Sequence, residues 1–217
     1  MLPGVDLNGF SMLDLSSHQK LLIFGGTFDP PHVGHVTQAE RVRQQLGFDV
    51  VVYLPTGRSP HKQGHQQTDA AIRLSMVRAA VADQPHAVVS DIELRRPTPS
   101  YTVDTLEALS QGLAPGASMR LLIGADQARV FDKWFQAERI AEWAEPVVMV
   151  RPPDTVAGLQ DALPEVWRDR LVSIPEIDLS ATEIRDRVRV KKSIQGLVPP
   201  GVAQIIQEQK LYIDPAP

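Results

Sequence analysis

Four short stretches constrain the architecture before any motif is considered: Leu21-Leu22-Ile23-Phe24, Val50-Val51-Val52-Tyr53-Leu54, Leu121-Leu122-Ile123 and Val147-Val148-Met149-Val150. None alternates apolar with polar residues, so a strand built from any of them has to hide both faces. Between the first two lies a segment of different period, 35–46. There Val36, Ala39, Val42 and Leu46 recur at helical spacing, while Glu40, Arg41, Arg43 and Gln44 point elsewhere. Gly47 comes next as a helix stop. Weaker strands at 87–89 and 171–174, and helices over 68–82, 100–109, 180–190 and 200–209, continue the alternation, with Thr68 as the expected cap of the second helix. A Trp-rich helical region is expected between Gly124 and Val147. Strands that take turns with helices in this way predict an α/β fold: a doubly wound, Rossmann-like, mostly parallel sheet with helices on both faces.

The chain has 217 residues, 43% of them hydrophobic, enough for one large core. The expected organisation is a flexible extension over 1–19 and a single domain over 20–217. The extension carries Asp6 and Asp14, no basic start and no apolar core of signal-peptide length. No stretch reaches the ~20 apolar residues of a membrane span, and the expected compartment is the cytoplasm. The absence of cysteine removes disulfide scaffolds, thiolate-ligated zinc and thiol nucleophiles. A net charge of -4 argues against wrapping duplex DNA but leaves room for a small polyanion held by a local cluster.

In sheets of this class ligands sit beyond the carboxyl ends of the strands, where strand order reverses. The residues after the first strand are Gly25-Gly26-Thr27-Phe28-Asp29-Pro30-Pro31-His32-Val33-Gly34-His35. Two glycines allow a tight turn and close approach of backbone to ligand. Thr27 offers a hydroxyl, and His32 and His35 enter a helix three residues apart, on one face. Amides at the helix start favour an anion. Together these features describe a phosphate site. The GxGxxG and GxxxxGK[ST] fingerprints are absent, and so is HExxH.

GTFDPPHVGH resembles the (T/H)xGH signature of the nucleotidyltransferase superfamily. Leu179-Ser180-Ala181-Thr182-Glu183-Ile184-Arg185 is similar to its second signature, ISSTxIR, with Leu179 for Ile and Ala181 for Ser. Supporting stretches are Ser59-Pro60-His61-Lys62, Ser100-Tyr101-Thr102-Val103-Asp104-Thr105-Leu106, Ile123-Gly124-Ala125-Asp126 and Leu197-Val198-Pro199. The set looks like the bacterial nicotinate-nucleotide adenylyltransferases, over roughly residues 20 to 213. That resemblance implies an enzyme of NAD biosynthesis joining ATP to nicotinic acid mononucleotide, with deamido-NAD and pyrophosphate as products. It implies catalytic roles for His32, His35, Lys62 and Arg185. It implies ATP contacts from Gly25, Gly26, Thr27, His35, Gly124, Asp126, Ser180, Thr182 and Arg185. Tyr101, Thr102 and Trp134 would hold the mononucleotide, with Trp134 stacking on the pyridine ring, while Trp143 and Trp167 are assigned to packing. Mg2+ is implied by ATP and would be held mainly by its phosphates and water, with no protein metal ligand expected.

The second signature has its own physical reading, since Ser180-x-x-Glu183 is a capping box. Neither nucleic acid nor membrane is an expected partner, and a homo-oligomer stays open. The same superfamily leaves a nicotinamide mononucleotide or another phosphorylated acceptor as the alternative substrate. Pantetheine-phosphate adenylyltransferases and cytidylyltransferases carry a similar loop. Readings from other classes are a nucleotide-binding regulator without catalysis and a metal-dependent hydrolase using Asp29, His32 and His35.

Overall fold

The structure is a computed structural model that describes residues 15–57, 67–96, 99–163, 165–175 and 177–213. Six strands, β1 (Lys20–Gly26), β2 (Val50–Pro55), β3 (Ala87–Val89), β4 (Ser118–Gly124), β5 (Ala144–Val150) and β6 (Leu171–Ser173), form one sheet. Its order is β3-β2-β1-β4-β5-β6 and every neighbouring pair is parallel. The connecting helices are α1 (Val33–Leu46), α2 (Ala70–Ala80), α3 (Thr102–Ser110), α4 (Ala125–Ala128), α5 (Ala137–Trp143), α6 (Val156–Ala162), α7 (Ala181–Arg189) and α8 (Pro200–Glu208). Strand order runs outward from β1 in one direction and from β4 in the other. The doubly wound sheet read from the sequence is therefore the one that forms.

The non-alternating strands are explained by two cores, one on each face. Leu22, Phe24, Val51, Tyr53, Leu122, Val147 and Met149 pack with residues of α1, α2, α7 and α8. Their neighbours Leu21, Ile23, Val50, Val52, Leu54, Leu121, Ile123, Val148 and Val150 pack with α3, α5 and α6 on the other side. Successive side chains of a strand point to opposite faces, so a sheet covered twice needs apolar residues at every position. Gly47 ends α1 in the left-handed region, φ 67°, where its amide closes on the Arg43 and Gln44 carbonyls.

Several local expectations change. Asp69, rather than Thr68, caps α2 by accepting the Ala71 amide at 2.8 Å, and the helix stops at Ala80. The Trp-rich region divides into α4, a 3-10 turn at Phe131–Lys133, and α5, with Gln136 in the left-handed region at φ 54° before α5. Helix α6 lies in a stretch with no expected element; it is short, contains Gly158 and depends on Thr155 Oγ1 accepting the Gly158 amide at 3.1 Å. Trp167 is buried as expected, but Trp143 is 37% exposed and does not belong to the packed interior. The end of the supposed flexible extension is docked. Leu15 is buried and bridges Leu113, and the Asp49 carboxylate accepts the Gln19 and Lys20 amides at 2.7 and 2.9 Å. Residues 1–14 lie outside the described residues. No described helix is long and apolar enough to cross a membrane.

Candidate active site

The two central strands part company at their carboxyl ends. The β1–β4 register stops at Ile23–Leu121, whereas β1 continues beside β2 to Gly26–Pro55 and β4 beside β5 to Gly124–Met149. A crevice therefore opens between Gly25-Gly26 and Gly124, the place where a sheet of this order receives its ligand. Gly25 is exposed, and a Cβ there would meet nothing within 4 Å, so its backbone faces open space. Gly26 has a different reason to be glycine: a Cβ would lie 2.9 Å from the Phe28 ring.

Beyond Gly26 the loop is built around Phe28, which is buried in the left-handed region at φ 49°. Its ring stands edge-on to His35 at 5.2 Å between centroids. His32 caps α1 and is also buried; the two imidazole centroids lie 3.7 Å apart with the ring planes tilted by 32°. Gly34 allows this, because a Cβ there would sit 2.9 Å from His32 Nδ1. Burial pulls the His32 pKa down from 6.5 to about 4, with help from the Arg151 cation. Burial also holds His35 well below its usual range, reinforced by His32 and Arg151. Both rings are neutral at physiological pH. The His32 amide donates to His35 Nδ1 at 3.2 Å, so the neutral His35 ring carries its proton on Nε2, as a donor. The helix-start amides contribute less than expected. The Val33 amide donates to the Leu197 carbonyl and the His35 amide to the His32 carbonyl, both at 3.0 Å.

The second signature is brought to the first by one side chain. Arg185, on α7, donates to the Asp29 carbonyl at 2.8 Å and to Thr182 Oγ1 at 3.0 Å. Ser180 caps α7 by accepting the Glu183 amide at 3.1 Å. The reciprocal half of the expected capping box is replaced by an ion pair, Glu183 with Arg187 at 3.7 Å. The Asp29 carboxylate accepts the Tyr212 hydroxyl at 2.6 Å and the Thr68 amide at 3.0 Å. Each Asp29 carboxylate oxygen is thus turned to a protein donor, Tyr212 on one and Thr68 on the other. Among the described residues no group of three or more His, Asp or Glu is placed to hold a metal ion.

Gly124 and Asp126 lie across the crevice from the histidine loop. Asp126 folds back over Gly124, where a Cβ would meet its Oδ1 at 2.6 Å, and its other oxygen accepts from Gln127 at 3.0 Å. Tyr101 and Thr102 start α3. The Tyr101 ring lies 4.5 Å from the exposed Phe135 ring, next in the chain to the half-buried Trp134; Trp134 in turn lies 5.3 Å from Phe131. The expected mononucleotide residues are thus neighbours, joined by Phe135, which the sequence reading did not select. Lys62, with Ser59-Pro60-His61, falls outside the described residues.

Three further residues were not selected. Arg151, exposed immediately after β5, sends its charge to both histidines; its place at the carboxyl end of a strand is the signal that could have found it. Arg73 is buried on α2 and donates to the Thr27, Thr56 and Thr68 carbonyls at 2.8, 2.8 and 3.0 Å, fastening the loops after β1 and β2 together. Glu93 is buried against α3, accepts the Thr105 hydroxyl at 3.1 Å and is pushed up to about 7 by burial, with Thr105, Arg96 and the Gly57 amide opposing. An arginine on a helix and a glutamate before one carry no sequence signal of burial.

A parallel sheet parted at its centre, with a paired-histidine loop on one side and an arginine from a second signature reaching into it, defines a nucleotidyltransferase. Residues 23–187 match the cytidylyltransferase-like family, and the chain belongs to that family. A protein of Exiguobacterium sibiricum named "probable nicotinate-nucleotide adenylyltransferase" is 42% identical over 193 residues, covering 89% of this chain and 98% of its own. One of the same name from a Synechococcus strain is 36% identical over 200 residues, covering 91% and 96%. These relatives place the chain in the nicotinate-nucleotide adenylyltransferase branch. The nicotinic acid mononucleotide adenylyltransferase of Plasmodium falciparum, solved with NaAD, has the same fold: TM-score 0.71 at 16% identity, over 90% of this chain and 98% of that one.

Proposed function

We propose that the protein transfers the adenylyl group of ATP to nicotinic acid mononucleotide. A phosphate oxygen of the mononucleotide attacks the α-phosphorus of ATP in line. The bond to the bridging oxygen of the β-phosphate breaks, and deamido-NAD and pyrophosphate result. The attacking oxygen is already anionic, so no general base is required and positioning with charge stabilisation carries the catalysis. The observation that supports this most is the meeting of the two signatures: Arg185 reaches the backbone of the histidine loop at the open end of the β1–β4 crevice.

In this reading His35 donates from Nε2 to an α-phosphate oxygen, with His32 held against it. Gly25, Gly26 and Thr27 let the loop backbone approach the nucleotide. Arg185, Thr182 and Lys62 face the β- and γ-phosphates, joined by Arg151. Ser180 acts chiefly as the cap that orients α7. Gly124 and Asp126 line the ribose and adenine side, and Tyr101, Thr102 and Trp134 hold the pyridine mononucleotide. ATP enters as its Mg2+ complex, in which phosphates and water supply the ligands. The assigned compartment is the cytoplasm. The test is pyrophosphate release from ATP and Mg2+ with a panel of acceptors: nicotinic acid mononucleotide, nicotinamide mononucleotide and phosphopantetheine. Release with the acid form at least tenfold above the others in kcat/KM is expected, and equal use of acid and amide contradicts the assignment. His35→Ala is expected to lower kcat by ~10²-fold, the usual cost of one lost donor to developing charge; activity within threefold of wild type removes His35 from the role.

A further inference from the structure

The C-terminal segment after α8 reaches into the base of the phosphate loop. Tyr212 lies 183 residues from Asp29 in the chain, yet its hydroxyl donates to Asp29 Oδ1 at 2.6 Å. Asp29 is buried and joins three more segments. Its other carboxylate oxygen accepts the Thr68 amide at the entrance to α2, its carbonyl accepts Arg185 from α7, and its chain neighbour Phe28 packs on His35. No substrate contact is needed for Asp29 to influence the site, because it is the point at which these elements are fastened.

Backbone conformation marks the same place. Phe28 has φ 49° and Tyr212 has φ 60°, both in the left-handed region that a residue with a Cβ seldom adopts. Such conformations persist where the surroundings over-determine them, and they concentrate at functional sites. Here they stand on the two sides of one hydrogen bond, Phe28 preceding the acceptor and Tyr212 supplying the donor. Burial and the bond to Asp29 both raise the Tyr212 pKa, so the phenol stays protonated throughout the working pH range. The Tyr212 ring packs against the α1–α2 side of the core, which separates two contributions: the ring fills space, and the hydroxyl holds the loop.

We propose that Tyr212 is a positioning residue for adenylyl transfer: its hydroxyl fastens Asp29 and thereby sets the Phe28–His35 loop against Arg185. This role rests on the adenylyl-transfer reading for its effect on turnover, but the anchoring itself is independent of that reading. A loop displaced by about 1 Å can cost ~10²-fold in rate, so partial loosening is expected to cost about tenfold.

The experiment compares full-length wild type with Tyr212→Phe, which keeps the ring, and Tyr212→Leu, which removes it. Kinetics with ATP, Mg2+ and nicotinic acid mononucleotide are combined with hydrogen–deuterium exchange of a peptide spanning residues 27–36. Tyr212→Phe is expected to melt within a few degrees of wild type, to lose about tenfold in kcat with each KM changed less than threefold, and to exchange several-fold faster in that peptide. Tyr212→Leu is expected to add a lower melting temperature to the same kinetic loss. Unchanged exchange over 27–36 in Tyr212→Phe overturns the proposal, and so does a kcat within twofold of an active wild type. If wild type forms no product, the functional reading fails, and the exchange of Tyr212→Phe still decides whether the hydroxyl anchors the loop.

Discussion

Acidification should unfold this protein partly through His32. The ring is 6% exposed, and burial next to the Arg151 charge lowers its pKa from 6.5 to about 4. The native state therefore binds fewer protons than the unfolded chain in that interval. Stability associated with the neutral ring is present above pH 6.5 and is lost as pH falls towards 4. With those two values, linkage gives a loss of about 2 kcal/mol between pH 7 and pH 4.5 from this one residue. His35 shifts in the same direction and adds to it. Glu93 works in the opposite sense: its folded pKa is raised to about 7, so the stability it lends at low pH disappears as pH climbs through 7. Comparing wild type with His32→Gln cancels Glu93 and the other carboxylates, which are common to both. Urea unfolding at pH 7 and pH 4.5 then reads the His32 imidazole together with its effect on His35. The wild type should lose about 2 kcal/mol more than the variant over this range. Equal pH dependence in the two proteins would show that His32 titrates normally and that the neutral, closely packed pair is wrong.

Gly34→Ala should act on the same ring from the other side. The added Cβ lies 2.9 Å from His32 Nδ1, so the imidazole must move; kcat is expected to fall by tenfold or more while the helix, for which alanine is intrinsically better by about 1 kcal/mol, remains folded by circular dichroism. Arg185→Ala removes charge-assisted bonds worth about 1.5–3 kcal/mol each and should raise the ATP KM by tenfold or more, with less than threefold change for the mononucleotide. Equal effects on both substrates in steady-state kinetics would refute that division. Trp134→Ala should raise the KM for nicotinic acid mononucleotide by about tenfold, as expected for a lost aromatic stack of roughly 1 kcal/mol plus its buried area, and leave ATP unaffected. Unchanged kinetics would return Trp134 to its packing role against Phe131.

The sequence by itself determined the sheet, the place of the histidine loop after the first strand and the second signature, because each of these is a local property. Runs such as Val50–Leu54 cannot tolerate water on either face, and His32 and His35, close behind Gly25-Gly26, place two nitrogen donors after the first strand; the glycines themselves are the last residues of β1 and not a turn. The cap at Ser180 was legible for the same reason: the hydroxyl and the amide it satisfies are three residues apart. Only the tertiary structure decided how those pieces are held. Arg73 on an amphipathic helix and Glu93 in a polar turn have no local mark of burial, and their partners lie on other segments of the chain. The electrostatic state of the histidines was equally hidden. Nothing in the spacing of His32 and His35 says whether they are solvated cations or neutral rings. Burial by Phe28 and its neighbours, with the Arg151 charge nearby, decides it. Tyr212 is the extreme case, a residue near the end of the chain whose hydroxyl is meaningful only because folding brings it 2.6 Å from Asp29. Local periodicity and turn chemistry act over a few residues, whereas desolvation and long-range hydrogen bonds exist only after distant segments have packed.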